Sequence, residues 1–241
     1  MAKKLKISSD LCELFGIYLG DGCISKSRSQ LVIAGDITEE REYYEKYVVP
    51  LFNRVLSIPL INKATEVKSY PKVGVCGIYI FNPTLVEEFR NCFDIIPGSK
   101  LNTSIPEQVL VNDTLTMKVI KGIFDTDGSI YFEKNYSCKD GKYKVPRIGL
   151  SMTSEKLIKQ IFLTLIKQGF KPRKIKPRKG KRDKNPLYGL KLYRKEDILR
   201  WINEIKFNNP KHLTKIELWK KLGECPPHTQ IAQRKSILNK I

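Results

Sequence analysis

Two nine-residue stretches, Leu14-Phe-Gly-Ile-Tyr-Leu-Gly-Asp-Gly22 and Ile120-Lys-Gly-Ile-Phe-Asp-Thr-Asp-Gly128, repeat one pattern 106 residues apart. Each is an apolar run with a glycine inside it, Gly16 or Gly122, and a carboxylate, Asp21 or Asp127, directly before a closing glycine. Small residues one helical turn apart, Gly16 with Gly20 and Gly122 with Thr126, let a second backbone come close. The pattern predicts two helices packed side by side, with Gly16 and Gly122 as the packing residues. In a parallel pair Asp21 and Asp127 meet at the carboxyl ends, where Gly22 and Gly128 are expected to terminate the helices in the left-handed conformation. Carboxylates there oppose the helix dipole and repel each other. A divalent cation relieves both penalties, since magnesium commonly takes one or two carboxylates beside water and a substrate phosphate.

The repeat also divides the chain. Residues 1–96 form a first unit, the polar, proline-flanked segment 97–113 a linker, and 114–241 a second unit with a C-terminal extension. After the first motif, Gln30 to Ala34 reads as a strand and Glu39 to Leu56 as a helix with apolar residues at helical spacing. Glu66 to Lys72 and Val75 to Phe81 make a hairpin around Val73 and Gly74, and Asn82-Pro-Thr opens another helix. The second unit follows suit. Strands are expected at Ile130 to Glu133 and Arg147 to Met152, a helix from Ser154 to Gln168, two strands near 173–178 and 188–193, and a helix from Glu196 to Phe207. Each half is therefore an αββαββα unit in the α+β class. Asn112 or Asp113 is positioned to cap the second motif helix.

Charge is distributed unevenly over these units. Residues 1–110 hold 13 Lys and Arg against 13 Asp and Glu, so the whole net charge of +19 sits in the second half. An excess so placed points to a polyanionic partner, and nucleic acid is the commonest one in a cell. Lys174, Lys176 and Arg178 alternate, as do Lys191 and Tyr193, and alternation predicts one basic, partly aromatic face on each strand. The loop between them carries Lys179, Lys181 and Arg182 and suits phosphate contacts. In the first half Lys26, Arg28 and Gln30, then Lys68, Tyr70 and Lys72, alternate with fewer charges and are candidates for reading base edges.

The paired motifs resemble those of the LAGLIDADG homing endonucleases, and two copies in one chain resemble the monomeric branch of that family. The resemblance implies two pseudo-symmetric repeats, motif helices at their interface, and curved antiparallel sheets forming a DNA-binding saddle. It implies a site-specific double-strand endonuclease that cuts an intron-insertion site in duplex DNA with Mg2+ or Mn2+, Ca2+ supporting binding without cleavage. The family's final aspartate falls on Asp21 and Asp127, and the preceding residue, whose carbonyl also approaches metal, on Gly20 and Thr126. The sixth motif position departs, with Leu19 in one copy and Asp125 in the other. A family lysine near the active site falls on Lys100 in the first repeat and on Lys211 in the second, where Lys215 competes. Rival roles on this scaffold are an intron RNA maturase and a DNA-binding protein that does not cut.

Other chemistries find little support. Two histidines, His212 and His228, argue against a histidine-metal nuclease, and six dispersed cysteines lack the spacing of a zinc site. Free thiols fit an intracellular, reducing compartment. No run of residues is long and apolar enough to suggest a membrane partner.

Overall fold

The computed structural model describes residues 5–27, 29–98, 100–134, 143–181 and 183–241, so Arg28, Cys138 and Arg182 lie outside the described residues. The first motif helix, Ser9–Asp21, starts at Ser8, whose hydroxyl accepts from the Leu11 N–H at 3.2 Å. Every residue from Leu11 to Leu19 is buried, Glu13 included, so protein surrounds this helix. The second motif helix, Asp113–Thr126, is capped by Asn112 rather than Asp113, through its side-chain oxygen and the Leu115 N–H at 3.1 Å.

The two helices run in parallel and touch along their length. A Cβ on Gly16 would collide with the Val119 carbonyl, and one on Gly122 with the Glu13 carbonyl and, at 2.7 Å, the Ile17 nitrogen. Gly20 meets Thr126 in the same way, 2.8 Å from its Cβ. Hydrogen atoms at these positions are what lets one backbone lie on the other. Gly22 and Gly128 have a different use from the one expected. Neither adopts positive φ, and Gly22 is extended at φ −89°, ψ 158°. A strand begins at each of these residues, so the chain must leave the helix extended. The glycines are needed because a Cβ would strike Tyr18 at the first and Phe124 at the second.

Each motif helix feeds a four-stranded antiparallel sheet. β1 (Gly22–Ile24), β2 (Leu31–Asp36), β3 (Lys68–Tyr70) and β4 (Val75–Ile80) are ordered β1-β2-β4-β3. In the second half β5 (Gly128–Lys134), β6 (Tyr143–Met152), β7 (Arg173–Arg178) and β8 (Leu187–Leu192) repeat that order as β5-β6-β8-β7. Apolar residues alternate onto the covered faces, with Ile33 opposite Ile78 and Leu150 opposite Leu190, all fully buried. This is the two-repeat mixed fold that the motif spacing predicts.

The helix after β2 runs further than expected, over 37–61. Asp36 caps it by accepting from the Thr38 and Glu39 N–H groups at 2.7 and 2.9 Å. Pro50 and Pro59 lie inside it and lack the N–H for the regular ladder, and wider π-turns, Tyr44–Val48 and Asn53–Ser57, precede the two proline segments. Its counterpart in the second half, Glu155–Lys167, is capped by Ser154. Beyond the last repeat helix the extension folds as Pro210–Leu222 and Ile231–Leu238. Arg234, 1% exposed, ties it back to the first half through Glu39 at 2.7 Å.

Candidate active site

Asp21 is the last residue of its helix and Asp127 caps the other, so the parallel contact places both carboxylates at one end of the pair. A Cβ built on Gly20 lies 3.5 Å from the Asp127 carboxyl carbon, so the second carboxylate stands beside the first helix's terminus. Asp127 is exposed, whereas Asp21 is half-buried and accepts from the Tyr44 hydroxyl at 2.8 Å. Burial and the neighbouring Glu40 push the Asp21 carboxyl up to about 7, with Asp127 adding to the repulsion and Lys211 and Tyr44 opposing it. Although part of Asp127 reaches solvent, the protein packed around its carboxyl raises it, against the pull of Lys100 and Lys211 and with Glu40 adding to the rise.

Both matched lysines reach this end, one for each helix. The Lys100 ammonium donates to the carbonyls of Tyr18, Leu19 and Gly20 at 3.1, 3.0 and 2.6 Å, and so closes the first motif helix. Lys211 donates to the Thr126 carbonyl at 2.6 Å and closes the second. Burial lowers the pKa of Lys100, and the two aspartates hold it up. Lys215 instead reaches the Ile130 carbonyl at 3.3 Å, so of the two competing lysines it is Lys211 that contacts the end of the second motif helix.

Further residues complete the site, and of these only Asp125 belongs to a motif. Glu40, 5% exposed, accepts from Lys211 at 2.7 Å, from the Asn209 amide at 2.9 Å and from the Asp36 N–H at 2.9 Å. Asp125, fully buried, accepts from the Asn208 and Asn209 N–H groups at 2.8 and 3.3 Å. It thereby anchors the turn from which Lys211 projects, and the departure at the sixth motif position has a structural purpose. Tyr44 lies far from Asp21 in sequence, and only the buried face of the 37–61 helix hints at it. His212 is buried against Phe207, 4.5 Å between ring centres, and takes no part.

The donor set suits a hard cation. Asp21 keeps one carboxylate oxygen clear of Tyr44, Asp127 faces solvent, and the Gly20 and Thr126 carbonyls each retain a second lone pair beside their lysines. Among the described residues no three His, Cys, Asp or Glu converge on a metal position. Two carboxylates with carbonyls match magnesium, which keeps much of its water, better than a zinc or calcium cage. A pocket of about 180 Å³ adjoins the site, lined by Leu19, Lys100, Asp127, Ser151 and Leu187.

The sheets place the other candidates unevenly. Cross-strand pairing sets Arg173 opposite Lys191 and Arg178 opposite Leu187 on the face away from the helices. Arg173 and Lys191 lie 5.4 and 6.0 Å from the Tyr193 ring, and Lys191 lies 5.2 Å from Tyr131, so basic and aromatic groups stack there. Lys174 points the other way, over Phe162 of the covering helix at 5.0 Å. The expected single face of Lys174, Lys176 and Arg178 does not form, because an irregularity between Ile175 and Arg178 breaks the alternation. Lys176, Lys179 and Lys181 are exposed. In the first half Lys68 and Tyr70 share the outer face of β3, Tyr70 against Tyr79 at 4.9 Å, whereas Lys72 sits in the following turn. Lys26 and Gln30 belong to the β1–β2 connection rather than to a strand, since β2 starts only at Leu31.

Residues 115–206 match the family model of the LAGLIDADG-like domain. No curated protein matches the chain. Among solved structures the fold is similar to a mesophilic variant of the homing endonuclease I-DmoI, at 15% identity and TM-score 0.53 over 82% of this chain and 95% of that one. It is similar to the meganuclease I-SmaMI bound to uncleavable DNA, at 12% identity and TM-score 0.55 over 92% and 90%. Full-length DUF199/WhiA from Thermatoga maritima is also similar, at 12% identity and TM-score 0.51 over 96% of this chain and 64% of that one.

Proposed function

From a LAGLIDADG-like domain set in the two-repeat fold of the LAGLIDADG homing endonucleases, we propose that this protein is a site-specific, divalent-metal-dependent endonuclease that cuts both strands of duplex DNA at an intron-insertion site as a monomer. The carrying observation is the meeting of Asp21 and Asp127, each beside a lysine-closed helix end, where the two repeats join. One chain thus supplies both halves of a double-strand site.

The chain's own groups then divide the work. Asp21 and Asp127, with the Gly20 and Thr126 carbonyls, would hold Mg2+ or Mn2+. When bound, the cation supplies Lewis acidity toward the scissile phosphate and lowers the pKa of attacking water. Lys100 and Lys211 keep positive charge at the helix ends, where phosphate oxygens gain charge as the bond breaks. The outward basic and aromatic groups, Lys191, Tyr193, Arg173 and Arg178 on one sheet and Lys68 and Tyr70 on the other, would then contact duplex DNA, a role that their shared outer faces support. No side-chain nucleophile is required.

The deciding experiment incubates the protein with a plasmid library of randomised sites in Mg2+, in Ca2+ and in EDTA, and sequences the ends produced. We expect staggered breaks at one site family in Mg2+ and binding alone in Ca2+. Binding in every condition with no ends in Mg2+ would leave a DNA-binding protein that does not cut. Selective retention of intron RNA over duplex DNA would support the maturase role.

A further inference from the structure

The two halves of the site are built from the same positions but not from the same residues. Superimposing the caps Asp36 and Ser154 of the two sheet-covering helices sets Ile158 opposite Glu40 and Phe162 opposite Tyr44. Over the first two turns burial follows this alignment, since Glu40 and Tyr43 are buried as are Ile158 and Ile161, while Arg41 and Glu45 are exposed as are Lys159 and Leu163; Phe162 is half-buried where Tyr44 is buried. In the first repeat this helix therefore sends a hydroxyl and a carboxylate toward the site. In the second the aligned residues are an isoleucine and a phenylalanine, Phe162 is covered by Lys174, and the helix residue that lines the pocket beside Asp127 is the apolar Leu157.

We propose that Glu40 and Tyr44 are one-sided positioning residues, which make the Asp21 and Asp127 halves of the site unequal and set the order in which the two DNA strands are cut. This rests on the nuclease reading. Tyr44 fixes one oxygen of Asp21 at 2.8 Å and so chooses which oxygen remains for a ligand. Glu40 acts across the repeat boundary, holding the Lys211 ammonium at 2.7 Å against the second helix while Asn209 braces its own carboxylate. Lys100 is placed instead by three carbonyls of the helix it closes, and among the described residues its hydrogen bonds involve no carboxylate. Asp127 is the exposed carboxylate, with neither a tyrosine nor a glutamate supplied by the second helix. Asp21 is thus braced by a hydroxyl from its covering helix, and the matching position of the other helix offers Asp127 only a phenylalanine.

The test compares wild type with Tyr44→Phe, Glu40→Gln and the mirror variant Ile158→Val, all checked by melting temperature. On the duplex recovered from the plasmid library, the two strands are labelled separately and their nicking rates in Mg2+ are measured. Wild type should nick the strands at different rates, and Tyr44→Phe or Glu40→Gln should shift the ratio by about tenfold, the scale of one hydrogen bond to a charged group. Ile158→Val should leave the ratio unchanged. A ratio that no variant moves, or that Ile158→Val moves equally, overturns the inference.

A second arm needs no cleavage. In 15N-lysine-labelled protein without DNA, Glu40→Gln should speed proton exchange of the Lys211 ammonium by about tenfold and leave Lys100 unaffected. Equal change at both lysines, or none, overturns the placement of Lys211 by Glu40. If wild type cuts neither strand, the nuclease reading and the strand order fail together, and the ammonium result still decides whether Glu40 positions Lys211.

Discussion

At the motif-helix contact the two repeats are close to interchangeable. Gly16 meets the Val119 backbone as Gly122 meets that of Glu13, Lys100 closes one helix as Lys211 closes the other, and Asp21 and Asp127 occupy matched ends. On the sheets and their covering helices the resemblance fades. The second sheet stacks Arg173 and Lys191 on Tyr193 and Tyr131, while the first presents Lys68 and Tyr70 from a three-residue edge strand. The difference follows from what each region must satisfy. Backbones that touch admit one residue type, so both copies keep it, whereas a solvent-facing strand accepts almost any side chain and each half is free to specialise.

The largest effect should come from breaking the symmetric end of the helices. Asp21→Asn and Asp127→Asn are each expected to cut double-strand cleavage in Mg2+ by about a hundredfold or more while leaving Ca2+-supported binding near wild type, because they remove cation donors rather than DNA contacts. A single variant that still cuts both strands at the wild-type rate removes that aspartate from the required set.

Packing comes next. Gly16→Leu and Gly122→Leu should each destabilise the fold by about 3 kcal/mol or more, above the usual cost of overfilling a core, because the obstacle is backbone and cannot rotate away. Thermal melts and cleavage should fall together. A soluble Gly16→Leu protein with unchanged melting temperature and activity would refute the close contact.

How much of this was legible beforehand also depends on the region. The paired helices follow from a pattern that backbone sterics make nearly obligatory, and the succession of strands and helices in each half follows from hydrophobic periodicity, whereas the order of strands within each sheet comes only from the fold. Gly22 and Gly128 are legible as the ends of the motif helices but not in their geometry, since sequence does not say whether a glycine serves a left-handed turn or a close approach. Lys174 and Arg178 fall on opposite faces because the irregularity between Ile175 and Arg178 carries no marker in the alternating charges. Glu40 and Tyr44 were read only as part of an amphipathic helix. Their importance comes from where the fold brings them, Glu40 to Lys211 and Tyr44 to Asp21.

A smaller effect should appear in stability against pH. The Asp21 and Asp125 carboxyls are each raised to about 7 in the fold, so the native state holds protons that the unfolded chain has released. Their penalty is absent below about pH 4, grows as pH rises toward 7 and is complete above it. Asp21→Asn should therefore raise the melting temperature by a few degrees at pH 8 and by much less at pH 5. An equal shift at both values would show that Asp21 carries no buried-charge penalty.

The finest contrast lies on the second sheet, between two neighbouring cations that composition cannot tell apart. Arg173 is on the outer face with Lys191 and Tyr193, whereas Lys174 covers Phe162 on the helix side. If the outer face tracks the DNA backbone, each lost phosphate contact reduces the dependence of log affinity on log salt by about 0.9. Arg173→Ala should then flatten the slope by about one such unit, and Lys174→Ala should leave it nearly unchanged while lowering stability slightly through the lost cation–π contact. Titrating both variants against the target duplex across a salt series separates the two. Equal flattening would mean that the helix-side face also meets DNA, and the assignment of the outer face as the binding surface would have to be abandoned.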